Sequence, residues 1–182
     1  MASNRSRELD GHNFSPRAIN TERLLLRRFS QVDFQDVSDW EKSADAPQEI
    51  VARQFLDFCF HEYKQRGQGP WAIVVKQTGK VVGNCGYIGI RDFCGEVNYY
   101  IAPGYRGQGL ATEAVSALLK YGFGDLDLVR IQARCRPDNP ASARVLQKLG
   151  MKLNETVPPN AIADRPQEER LYAILRGDFE PA

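Results

Sequence analysis

Tyr105-Arg106-Gly107-Gln108-Gly109-Leu110-Ala111-Thr112-Glu113-Ala114 joins a strand-like segment to a helical pattern. Its glycines, Gly107 and Gly109, allow the backbone to approach a ligand closely. The first turn of the following helix has free N–H groups and the positive end of the helix dipole, which together attract an anion such as a pyrophosphate. The stretch therefore predicts a phosphate-binding turn.

The spacing of this turn argues against the two commonest nucleotide motifs. A dinucleotide fingerprint requires glycine or alanine three residues after its second glycine, but Thr112 stands at that position. A P-loop requires lysine and then serine or threonine after its last glycine, but Leu110 follows Gly109. Another phosphate-bearing ligand is therefore favoured over ATP or NAD.

The composition is that of one ordinary globular domain. The chain has 182 residues, of which 42% are hydrophobic and 26% charged, and its formal net charge is +1. This balance favours neither nucleic acid nor an anionic membrane as a partner. We expect residues 1–18 to form a flexible N-terminal leader and residues 19–182 a single domain, as a monomer or a homodimer.

Cysteine usage and the absence of targeting signals predict a cytoplasmic protein. The leader has no apolar core, and no stretch approaches the roughly 18 apolar residues of a membrane span. The four cysteines are widely spaced, and two histidines are too few to complete an obvious metal site. We therefore expect reduced thiols and no bound metal.

Hydrophobic periodicity predicts the order strand, two helices, three strands, helix, strand, helix, two strands. The predicted strands cover residues 23–29, 71–75, 81–90, 96–101, 128–135, 151–157 and 170–175. The first predicted helix follows Ser30, and the second runs from about Pro47 to Gly67. The third begins at the glycine turn, and the fourth runs from Pro140 to Gly150. Because strands and helices do not alternate strictly, the order favours an α/β (α+β) mixed sheet with helices on both faces.

Arg106-x-x-Gly109-x-Ala111 resembles the Gln/Arg-x-x-Gly-x-Gly/Ala signature of the GNAT superfamily of acyl-CoA-dependent N-acetyltransferases. Further blocks resemble its RimJ/RimL branch, which includes enzymes that acetylate the N-termini of ribosomal proteins. They occur in the branch's order at residues 19–27, 82–86, 96–99, 111–114 and 139–151. The likeness extends over about residues 19–175.

The resemblance implies a GNAT-type mixed, mostly antiparallel central sheet of about six to seven strands, splayed in the middle, with helices on both faces. In that fold the pantetheine arm of acetyl-CoA lies between the splayed strands, of which one would be residues 96–101 here. The resemblance therefore implies acetyl-CoA (coenzyme A) as the cofactor. It assigns cofactor binding to Tyr100, Ile101, Ala102, Arg106, Gly107, Gln108, Gly109, Leu110, Ala111, Thr112 and Asn139.

Acetyl transfer requires a deprotonated amine, a polarised thioester carbonyl and a proton donor for the CoA thiolate. By resemblance, Glu96 is the candidate base, directly or through a water, and Ser142 lies near the cofactor sulfur. Simpler roles remain open: Glu96 as an exposed strand residue, Asn139 as a helix cap before Pro140, and Ser142 as an ordinary first-turn residue. Tyr99, Tyr100 and Tyr105 are alternative proton donors or packing residues.

The implied function is acetyl transfer from acetyl-CoA to a primary amine, a protein N-terminus or a small amine, in a ternary complex. The branch often has glycine at the position of Asn98 and tryptophan at that of Tyr105, so the acceptor pocket is not assigned. The alternative is a non-catalytic acyl-CoA-binding regulatory module. A nucleotide-binding protein is a third possibility, in which ATP or NAD would stabilise the fold more than CoA does.

Overall fold

A single eight-stranded sheet organises residues 18–40, 48–67, 69–160 and 167–180, which are the residues that the computed structural model describes. The strands are β1 (Ala18–Asn20), β2 (Leu24–Arg28), β3 (Trp71–Val75), β4 (Val81–Arg91), β5 (Cys94–Ile101), β6 (Arg130–Cys135), β7 (Lys152–Val157) and β8 (Glu169–Leu175). The helices are α1 (Phe34–Ser38), α2 (Gln48–Arg66), α3 (Leu110–Gly124) and α4 (Pro140–Lys148). The sheet order is β1-β2-β3-β4-β5-β6-β8-β7, and among these described strands only the β5–β6 pair is parallel.

The mixed, mostly antiparallel sheet is confirmed, although it has one strand more than the predicted six to seven. The additional strand is β1, which includes Ala18, a residue that the prediction placed in the leader. The rest of the leader lies outside the described residues. The chain turns between β1 and β2 at Thr21. The Thr21 N–H donates to the Leu24 carbonyl at 2.9 Å, and the Thr21 hydroxyl accepts from the Leu24 N–H at 2.9 Å.

Capping residues bound the helices near the predicted positions. Ser30 and Asp33 form the capping box that leads into α1. Helix α2 ends just before Gly67, and the chain leaves α4 at Gly150; both glycines have a positive φ. Pro47, the predicted start of the second helix, lies outside the described residues.

Helices cover both faces of the sheet, as predicted. Buried residues alternate along β3: Trp71 and Ile73 belong to the core formed with α3 and α4, whereas Ala72 and Val74 belong to the core formed with α1 and α2. The larger core contains the buried face of α3, whose predicted members are all buried: Leu110, Ala114, Ala117, Leu118 and Tyr121.

The sheet splays between β5 and β6, as the resemblance implies. Within the described residues, the ladder joins Cys94–Glu96 of β5 to Arg130–Gln132 of β6 and ends there. Strand β5 continues beside β4 as far as the pair Ile101 and Gly83. The last five residues of β5 therefore border a gap on the β6 side.

Glu113, in the first turn of α3, connects the glycine turn to the residues between β1 and β2. Its carboxylate accepts hydrogen bonds from the Thr21 hydroxyl at 2.5 Å, the Arg23 N–H at 2.8 Å and the Arg23 Nε at 2.7 Å. Arg23 also donates to the Gln108 carbonyl at 2.9 Å. Burial alone would raise the pKa of Glu113, but these hydrogen bonds outweigh burial and lower the pKa.

The four cysteines are free thiols. Cys59, Cys85 and Cys135 are buried, and burial raises the pKa of Cys59 to about 12. Within the described ranges, no helix is long and apolar enough to cross a membrane. The same part of the chain holds no group of three potential metal ligands.

Replacing Glu113 by Gln should lower the free energy of unfolding at neutral pH by about 1–2 kcal/mol, because charged hydrogen bonds are lost. Since the folded-state pKa is lowered, this contribution is present above the unfolded pKa of about 4.3 and is lost as the pH falls through the folded-state value. Urea denaturation should therefore show a difference from the wild type that shrinks as the pH falls from about 5 to about 3.

Glu49→Gln provides the control, because Glu49 is also an acidic residue in the first turn of a helix but is exposed. Its effect should be small at every pH. A Glu113→Gln difference that does not change with pH would contradict the assigned role of the carboxylate.

Candidate active site

A cavity of about 600 Å³ lies where β5 separates from β6. Its walls are the end of β5, the glycine turn with the start of α3, the β6–α4 loop, and one side of α4. Most of the predicted site residues line it: Tyr100, Ile101, Arg106, Gly107, Gly109, Leu110, Ala111, Thr112, Asn139 and Ser142. Tyr99 and Tyr105, the alternative proton donors, line it as well.

The glycine turn takes a backbone conformation that favours glycine. Gly107 has φ +76° and Gly109 has φ +79°, both in the left-handed region. Gly109 caps α3, and its carbonyl accepts the Glu113 N–H at 3.1 Å. The N–H groups of residues 110–112 belong to the first helical turn, where no intrahelical partner exists, and these residues line the cavity.

One edge of β5 presents backbone groups to the gap. The Ala102 N–H donates to the Val82 carbonyl of β4 at 2.9 Å. Because peptide groups alternate along an antiparallel strand, the groups of Tyr99 and Ile101 point away from β4. Accordingly, the Ile101 carbonyl accepts a hydrogen bond from Arg106 Nε at 2.8 Å.

Cationic side chains predominate around the cavity. Arg106, Arg136, Arg144 and Lys148 line it, and Asp138 is the one acidic residue among the lining residues that the structure describes. Arg136 and Asp138 form an ion pair at 3.2 Å. The Arg106 guanidinium lies over the Tyr100 ring, 5.6 Å from its centroid. The remaining positive charge suits a ligand with several phosphate charges.

Asn139 and Ser142 meet at the start of α4. Asn139 is the N-cap, and its Oδ1 accepts the Ser142 N–H at 3.1 Å. The Ser142 Oγ lies 2.7 Å from the Tyr99 hydroxyl oxygen. Burial raises the pKa of Tyr99 to about 12, and the hydrogen bond with Ser142 opposes part of this rise. Asn139 therefore caps α4 and also lines the cavity.

Glu96 lies at the vertex of the splay and not among the residues that line the cavity. Its carboxylate accepts hydrogen bonds from Gln132 Nε2 at 3.1 Å and from Arg134 Nε at 3.2 Å. Its neighbour Val97 faces the core of α3 and α4, so Glu96 faces the opposite side of the sheet. Its cross-strand partner Gly89 has open space where a side chain would be.

Two further predicted residues are not among the lining residues either. The Ala102 carbonyl accepts the Tyr105 N–H at 2.9 Å, and its N–H is bonded to β4. Gln108 provides the carbonyl that Arg23 contacts. Both residues secure the turn against its surroundings, and their contact with a cofactor stays a prediction.

Residues 23–152 match the model of the acetyltransferase (GNAT) domain family. The chain belongs to this family. It is 30% identical over 172 residues to an uncharacterized N-acetyltransferase of Bacillus subtilis, YnaD, with 88% of this chain and 98% of that protein covered.

Solved GNAT structures show the same fold. A GNAT-family acetyltransferase from Bacillus anthracis has a TM-score of 0.73 and 28% identity, covering 88% of this chain and 99% of that one. RimJ of Mycobacterium smegmatis, solved in complex with CoA-disulfide, has a TM-score of 0.68 and 21% identity, covering 84% of this chain and 81% of that one. At this identity the second likeness concerns the fold alone.

The GNAT cavity includes residues that the sequence analysis did not assign. Arg144 and Lys148 are exposed, stand one turn apart on α4 and line the cavity. Their spacing of four residues places them on one helix face, which is a signal that the sequence contains. The sequence did not reveal that this face borders the glycine turn.

Gly109→Ala should destabilise the GNAT domain by about 1–2 kcal/mol, because alanine is strained in the left-handed region that Gly109 occupies. Thermal or urea unfolding provides the measurement. Gly124→Ala is the matched control, since Gly124 lies in α3, has open space at its Cβ and should become more stable or stay unchanged. Equal effects at both glycines would contradict the assigned turn geometry.

Proposed function

We propose that this GNAT protein transfers the acetyl group of acetyl-CoA to a primary amine in a ternary complex. The observation that carries the proposal is the cavity that joins an anion-binding helix start to an open strand edge. The turn at residues 107–112 suits the pyrophosphate, and the edge of β5 at Tyr99 and Ile101 suits the amide groups of pantetheine. Acetyl-CoA would supply the activated acetyl thioester.

The cofactor assignment extends to the side chains around the cavity. Asn139 and Tyr100 line the cavity wall and would contact pantetheine there, and Ala102 and Gln108 hold the ends of the turn. Arg106 adds positive charge near the phosphates while it also bonds the Ile101 carbonyl. The RimJ structure of similar fold, which holds CoA-disulfide, supports the same kind of ligand for this chain.

Glu96 is the proposed base. It lies at the vertex of the gap, beside Gly89, where the described residues leave open space at the Cβ position. A carboxylate at that point accepts the amine proton directly or through a water. The proposed acceptor is a protein N-terminus or a small amine. We assign the protein to the RimJ/RimL-like branch. Given its free thiols, we expect it in the cytoplasm.

One observation favours a second candidate, a non-catalytic acyl-CoA-binding regulatory module. Both oxygens of Glu96 already take part in hydrogen bonds with Gln132 and Arg134. A carboxylate used as a structural tie between β5 and β6 would leave the cavity able to bind CoA without a base. The two functions differ in the effect of removing this carboxylate.

Glu96→Gln should lower kcat/KM by about 10²–10⁴-fold for an amine that the wild type acetylates, because the isosteric amide cannot accept the proton. The affinity for CoA should be unchanged. The measurement is an acceptor screen at saturating acetyl-CoA, followed by steady-state kinetics and calorimetric CoA binding. Glu155→Gln, an exposed site on β7, is the control. Unchanged turnover in Glu96→Gln would exclude Glu96 as the base.

A wild-type protein that binds CoA but acetylates no amine of a broad panel would favour the regulatory module. A protein stabilised more by ATP or NAD than by CoA in thermal melts would overturn the cofactor assignment.

Arg144→Gln and Lys148→Gln should each weaken CoA binding by about fivefold or less, because both side chains are exposed and their attraction to phosphate is screened by solvent. The loss should diminish as salt is added. Calorimetry at low and high salt measures both effects, with Lys152→Gln, an exposed site on β7, as the control. Equal affinity in all variants at low salt would exclude these two residues from the cofactor site.

A further inference from the structure

Two hydroxyl groups meet across the cavity, one from each side of the gap. Tyr99 comes from β5 and Ser142 from the first turn of α4, and both line the cavity. The Tyr99 hydroxyl oxygen lies 2.7 Å from Ser142 Oγ and 3.2 Å from the Ser142 backbone carbonyl. Tyr99 therefore has two acceptors on the same residue.

These distances permit two arrangements of the hydroxyl hydrogens. In one, Tyr99 donates to the Ser142 backbone carbonyl and accepts from the Ser142 hydroxyl. In the other, Tyr99 donates to Ser142 Oγ, and the hydrogen of Ser142 is free to bond a third atom. The backbone carbonyl keeps a partner in both, because it lies inside α4 and accepts the regular i+4 helical hydrogen bond.

The family resemblance implies that Ser142 lies near the cofactor sulfur, and we propose that Tyr99 is a positioning residue that orients the Ser142 hydroxyl as a hydrogen-bond donor to that sulfur. The inference rests on the proposed function. The thioester bond that breaks must lie between the phosphates at the glycine turn and the amine at Glu96. Tyr99 is three residues beyond Glu96 on β5, about 10 Å along the strand, so the hydroxyl pair borders this path.

In this acetyl transfer, neither Tyr99 nor Ser142 has to give up a proton. The amine nitrogen forms a bond to the acetyl carbon, the carbon–sulfur bond breaks, and its electron pair goes to sulfur. Ser142 donates a hydrogen bond to the thiolate while Tyr99 turns from the backbone carbonyl to Ser142 Oγ. The amine proton goes to the base.

A hydrogen bond fits the chemistry of the pair better than proton transfer. An alkyl thiol has a pKa of about 8.5. Burial raises the pKa of Tyr99 to about 12, so the phenol would hold its proton against a thiolate. A hydrogen bond to a charged group is strong enough to lower the pKa of the bound thiol by about 1–2 units.

The decisive measurement is the pKa of the thiol of bound CoA. It is obtained by titrating the ultraviolet absorbance of the thiolate at saturating CoA and subtracting the absorbance of the ligand-free protein. In the wild type it should lie about 1–2 units below that of free CoA. Tyr99→Phe and Ser142→Ala should each return it most of the way to the free value. Ser142→Thr keeps a hydroxyl and should retain most of the shift.

Tyr172→Phe is the control, because Tyr172 belongs to the same core but does not line the cavity. It should leave the thiol pKa unchanged. Tyr99→Phe should also lower kcat by about tenfold with little change in KM for acetyl-CoA. Thermal melts of each variant check that it is folded.

The same thiol pKa in the wild type and in Tyr99→Phe would overturn this inference and leave the proposed function standing. Failure of the wild type to bind CoA in calorimetry would overturn both. Binding of CoA without turnover of any amine would remove the catalytic part of the proposal, because a shifted thiol pKa would then describe product binding only.

Discussion

The separation of β5 from β6 after Glu96 is the constraint on which the rest of the structure depends. A strand that leaves its neighbour has one edge of backbone groups to satisfy. Strand β5 keeps β4 on its other edge as far as Ile101, and Arg106 bonds the Ile101 carbonyl at the open edge. The gap therefore stays open without loss of the strand, and a ligand rich in amide groups can complete the pairing.

A second constraint fixes the glycine turn that closes this gap at one end. Glu113 and Arg23 are 90 residues apart in sequence, yet their contacts hold the start of α3 against the turn between β1 and β2. Because Arg23 also bonds the Gln108 carbonyl, the turn is held from outside the cavity. The N–H groups on its inner side are therefore positioned before any anion binds.

The local parts of this site could be predicted from sequence, because they depend on neighbours along the chain. The glycine turn, the buried face of α3 and the cap at Asn139 are of this kind. Strand β1 was missed, because three residues with no alternating pattern form a strand only when β2 is beside them. The ion pair of Glu96 with Arg134 was missed as well, since it depends on the register of strands 38 residues apart.

The proposed chemistry explains why the sheet must open at this point. Glu96 faces the side of α1 and α2, whereas Tyr99 faces the core of α3 and α4, because odd and even residues of β5 alternate between the faces. In the proposed reaction, an amine deprotonated at Glu96 and a thiolate held at Ser142 would therefore belong to opposite faces of the sheet. A gap between the strands would let one thioester reach both, so the splay that we propose as the cofactor site would also let the nitrogen and the sulfur approach the acetyl carbon from opposite sides.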